Sequence, residues 1–61
     1  MDKLQVQDRY SMLVDILTST KDRVESIFDH IADKDFEITN EENAEYMKSI
    51  NYHIETLQRY L

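Results

Sequence analysis

Not one of the 61 residues is glycine or proline. Tight hairpin turns and glycine-rich phosphate loops rely on residues that reach positive φ freely, and most all-β folds need many such turns. Their absence points to an all-α chain whose few turns are made by Asn, Asp, Ser and Thr. Apolar residues make up 41% of the chain, enough for a core, which argues against disorder. A chain this short is expected to form one small helical domain over residues 1–61. It buries only about 60% of its unfolded surface and is marginal alone; small chains usually add a disulfide, a metal or a second subunit. With no cysteine, the first route is closed.

Apolar spacing gives the helices. Val6, Tyr10, Leu13, Leu17, Thr20, Val24, Ile27 and Ile31 alternate steps of four and three, the heptad signature. Val14 and Phe28 flank this seam and widen it toward a bundle face. Asp2 is placed to cap the helix start. Two forms of this segment are open. The heptad runs unbroken through Thr18–Thr20, but Ser19 with Asp22 offers a cap for a new helix there. After Ala32 the pattern stops, and Phe36 and Ile38, two apart, read as a short extended segment. Thr39 and Glu42 form a capping box. A second helix from about Asn40 to Leu61 has the stripe Met47, Ile50, Ile54, Leu57 and Leu61, with Tyr46, His53 and Tyr60 in a parallel row.

The expected architecture is therefore a helical hairpin. A straight first helix of about 30 residues would span roughly 45 Å and the second about 33 Å. The uncovered remainder calls for a second chain, giving a dimeric four-helix bundle with Tyr10, Leu13, Leu17 and Val24 at the dimer interface. A bend at Thr18–Thr20 would instead give a three-helix unit.

Charge is segregated. Asp29, Asp33, Asp35, Glu37, Glu41, Glu42 and Glu45 are opposed between Phe28 and Glu45 only by Lys34, a balance of −6. The other six acids and six bases cancel, so this segment carries the whole net charge. Such a cluster is suited to steering a basic surface. Aromatic residues dominate interface hot spots, which adds Tyr46, His53 and Tyr60 as partner-binding candidates.

Other chemistries fit poorly. His30 and His53 lack the further ligands a zinc site needs. Asp33, Asp35, Glu37 and Thr39 alternate like the start of a calcium loop. Ile38 stands where that loop needs glycine, and Ala44 where it needs a bidentate Glu. Ser11, Ser19, Ser26 and Ser49 have no nucleophile context. No enzyme activity and no cofactor are expected. Seven bases against thirteen acids disfavour direct nucleic-acid binding, although Lys3, Arg9 and Arg23 could line one side of the first helix. The polar first ten residues do not read as a secretory signal, and no apolar run approaches the roughly 20 residues of a membrane span. A cytoplasmic protein is the expectation. It would be a homodimer that regulates or inhibits another protein, a host protein with a basic surface.

Several short segments appear in a familiar order: Val6-Gln7-Asp8-Arg9-Tyr10, the Thr18–Thr20 hydroxyls, Ile27-Phe28-Asp29-His30-Ile31, and Phe36-Glu37-Ile38-Thr39-Asn40. This order resembles the Hha/YmoA family, small helical proteins that bind the oligomerisation domain of the nucleoid protein H-NS. The family's Asp-His-Arg and Ala-Glu-Leu stretch is matched only by Asn51-Tyr52-His53-Ile54-Glu55-Thr56-Leu57. Its closing tryptophan helix and basic surface are absent here. The resemblance implies a non-enzymatic modulator of H-NS-type silencing with three helices. A further alternative is an RNA-binding four-helix dimer of the Rop type, similar in length and hairpin plan but not in motifs.

Overall fold

Asp2 opens the first helix in extended backbone (φ −64°, ψ 144°), and its Oδ1 accepts the Leu4 N–H at 3.2 Å. That satisfies one of the donors that every helix start leaves free. The structure, a computed structural model, describes residues 2–61. Helix α1 then runs over Lys3–Asp33 without interruption. Its hydroxyl run does not break it. Thr18 Oγ1 donates to the Val14 carbonyl at 2.9 Å, and Thr20 Oγ1 to the Ile16 carbonyl at 2.7 Å. Both hydroxyls are thus satisfied one turn back within the helix, and no new cap forms at Ser19. The three-helix form is not adopted.

α1 ends on a paired closure made without glycine. The Phe36 N–H donates to the Ile31 carbonyl at 2.9 Å and the Asp35 N–H to the Ala32 carbonyl at 3.0 Å. This is the Schellman pattern, and it requires left-handed backbone just past the helix end. Asp35 (φ 55°) supplies it, and Phe36 follows at φ 62°. The Phe36 ring meets Phe28 edge-on, with centroids 5.6 Å apart, which holds the closure against the last turns of α1. The extended reading of Phe36 is therefore corrected: the closure turns it back onto α1. Left-handed backbone costs a residue with a Cβ roughly 1–2 kcal/mol, less for Asp. Asp35→Gly is expected to stabilise the chain by about 0.5–1 kcal/mol. A denaturation midpoint that does not rise would argue against this backbone geometry.

Helix α2 covers Asn40–Gln58, shorter at its end than the spacing suggests. Its start is the expected capping box. Thr39 Oγ1 accepts the Glu42 N–H at 3.1 Å, and Glu42 Oε1 accepts the Thr39 N–H at 3.3 Å. Thr39→Ala should cost about 1 kcal/mol, measured by chemical denaturation. A loss near zero would place the cap at Asn40 instead.

The two helices lie side by side, antiparallel, in a rod of 49 × 17 × 8 Å between Cα atoms. The radius of gyration is 15.2 Å, against about 10.5 Å for a compact chain of this length. The seam is formed on α1 by Leu13, Ile16, Thr20, Ile27 and Ile31. Facing it are Tyr46, Ser49, Ile50, His53 and Leu57 of α2 and Tyr60 just past that helix, all half-buried. Ile27 alone among the described residues is fully buried, at 6% exposure.

Candidate functional site

Two guanidinium groups hold the seam edges. Arg9 Nε donates to the Tyr60 carbonyl at 3.0 Å, and Arg23 Nε donates to Ser49 Oγ at 2.8 Å. Arg9 and Arg23 are two heptads apart, so both fall on the same flank of α1. With Lys3 they are the candidates for a basic side of the first helix. Their bonds across to Ser49 of α2 and to Tyr60 just past it make them staples of the hairpin, and only the repeat of Arg at one heptad position hints at this. The Arg9 bond also shows that the chain past α2 runs nearly to the start of α1. The length mismatch is therefore smaller than helix lengths alone suggest.

The connector, residues 34–39, brings both halves of the acidic segment to one end of the rod. Asp29 and Asp33 lie on the last turns of α1, Asp35 and Glu37 in the connector, and Glu41, Glu42 and Glu45 on the first turns of α2. Glu42 is half-buried and the other six are exposed. The one lysine here is engaged: Lys34 Nζ lies 2.7 Å from Glu42 Oε2. The bond to Lys34, followed by the Thr39 N–H, holds the Glu42 carboxyl below its ordinary range. The same bond raises the Lys34 ammonium above its own. Among the described residues the remaining six carboxylates have no ion-pair partner. Glu41 and Glu42 also favour the positive helix start, so part of the cluster serves the fold.

Tyr46, His53 and Tyr60 do come into one row, but the row faces α1. The Tyr46 ring sits edge-on to His30 at 6.0 Å, and His53 Nδ1 lies 3.0 Å from the Ser49 carbonyl. These rings are half-buried and pack within the hairpin, each with part of its surface still exposed. Of the proposed dimer positions, Leu13 turns into the seam, whereas Tyr10, Leu17 and Val24 are exposed.

The clefts are shallow. One, about 260 Å³, is lined by Asp15, Ile16, Ser19, Tyr52, His53 and Thr56. Among the described residues no group of three or more His, Cys, Asp or Glu is arranged to hold a metal ion. No helix among them is long and apolar enough to cross a membrane. Compared with known protein families, characterised proteins and solved structures, the chain matches none.

Proposed function

We propose that the chain is a non-enzymatic protein–protein interaction module, a small acidic regulator or inhibitor that takes a basic protein surface at its connector end. The observation that supports this reading is the gathering of the −6 charge at one end of a 49 Å rod. The one base at that end is already paired with Glu42. Opposite charges cancel along the rest, so the field is concentrated at the tip. A tip of this kind raises the rate of encounter with a basic surface and selects against acidic ones. It can also compete with nucleic acid for such a surface, because carboxylates and phosphates attract the same Lys and Arg side chains.

The test is capture from host lysate on the immobilised chain, identification by mass spectrometry, and titration of the purified partner against salt. A basic partner whose affinity falls as salt rises supports the reading. Affinity indifferent to salt counts against it. Recovery of RNA instead would favour the Rop-type alternative. The H-NS modulator alternative shares action by protein contact, but it implied three helices where the chain has two.

A further inference from the structure

A hairpin of two helices is a single layer, here 8 Å thick between Cα atoms, and a protein core is made between layers. Both broad sides of this layer are therefore open, and they differ in character. Each helix residue advances about 100° around its axis. Measured from the seam, Tyr10, Leu17, Val24 and Phe28 lie about a quarter turn to one side of α1. Met47 and Ile54 lie a quarter turn in the same rotational sense from the seam of α2, and Leu61, just past the helix, extends their row. Because the helices run in opposite directions, equal senses point to the same broad side. The cleft shared by Val6, Tyr10 and Leu13 with Tyr60 and Leu61 joins the two rows at one end. All seven apolar side chains of the two rows are at least 40% exposed. The other broad side carries Asp15, Asp22, Asp29 and Glu45, with Met12 and Tyr52 as isolated apolar members.

We infer that a second copy of this chain covers the apolar side, giving an antiparallel four-helix homodimer with the two connectors at opposite ends. Two observations select this occupant and a third its orientation. The chain exposes 5130 Å², whereas a compact monomer of 7.4 kDa exposes about 4,200 Å². The excess, about 900 Å², is close to the roughly 800 Å² per partner of a standard stable interface. Lys21 at the rim of the apolar side is paired with Glu25 at 3.3 Å, and the one further charge there, Lys3, stands at the end away from the connector, where an antiparallel copy brings its acidic tip. Two copies thus meet there without local repulsion, while a basic partner would find no complementary charge. The acidic ends set the orientation. A parallel pairing would place two −6 tips together, and an antiparallel one separates them by about the rod length. This inference is independent of what the tip binds.

The test uses the full chain. Its sedimentation mass at tens of micromolar should be twice 7.4 kDa, and its thermal midpoint should rise with concentration, as for any folded state held by association. A spin label on Glu37→Cys, unique because the chain has no cysteine, should report a distance near the 49 Å rod length. Leu17→Glu should abolish the twofold mass, whether by dissociation or unfolding, while Ser19→Glu on the polar side leaves it intact. A monomeric mass with a concentration-independent midpoint overturns the inference and leaves the apolar side for a different protein. Labels within about 20 Å, the spacing of neighbouring helices, overturn the antiparallel arrangement. A dimer that survives Leu17→Glu, or is lost equally in Ser19→Glu, overturns the assignment of the face.

Discussion

Ile27→Ala is expected to remove about 2 kcal/mol or more of stability, the cost of truncating a buried isoleucine and leaving its space partly empty. A chain of this size commands only about 3–9 kcal/mol in total. Ile27 is the one fully buried residue described, in the connector half of the seam beside His30 and Tyr46. Every other apolar contact between the helices is half exposed, so no second buried residue shares the load. The His30–Tyr46 edge contact beside it should loosen as well. Met12→Ala is the control: Met12 is exposed on the polar side, and its loss should stay within about 0.5 kcal/mol. Helical circular dichroism followed through thermal denaturation reads both. Comparable losses at the two positions would mean that the seam does not depend on Ile27.

The position of Ile27 in the α1 repeat was readable because heptad spacing fixes a period. Spacing does not fix phase where two rows compete. On α2, Met47–Ile54–Leu61 and Tyr46–His53–Tyr60 both repeat at seven, one residue apart. The more apolar row is the natural choice for a hairpin seam. The structure places the aromatic row there instead, together with Ser49 and Thr56, and leaves the more apolar row outside. A single hairpin gives no reason for that choice. A second apolar layer does, because the greasier row then belongs to the deeper interface. The two caps were readable for another reason: Asp2 and the Thr39/Glu42 pair act through local side-chain geometry. The closure at Asp35 and Phe36 was not, since its usual marker is glycine and the chain has none. Likewise, the run Thr18–Thr20 could serve a cap or bond back within a helix, and only the surrounding packing decides between the two.

Converting Asp29, Asp33 and Glu37 to lysine is expected to weaken capture of the basic partner at least tenfold and to remove most of its dependence on salt. Each reversal changes the charge by two, so the tip passes from −6 to zero. The choice of positions follows from the fold. Asp29 and Asp33 lie on the last turns of α1, where lysine suits the negative end of the helix better than aspartate does. Glu37 is exposed in the connector, and none of the three belongs to the seam or to the apolar side. Asp35 is left in place because its left-handed backbone tolerates Asp better than Lys. Glu42 is left because it holds both Thr39 and Lys34. Helical content and thermal midpoint should therefore stay near the unchanged chain, which separates a binding loss from unfolding. The association rate should fall further than the dissociation rate rises, since a charged tip acts mainly on encounter. Raising salt should bring the unchanged chain toward the behaviour of the reversed one, because screening removes the same field. If the reversed chain is folded and captures its partner with unchanged rate and salt response, the acidic end is a solvated loop. Contact with the partner would then have to come from the broad sides of the hairpin.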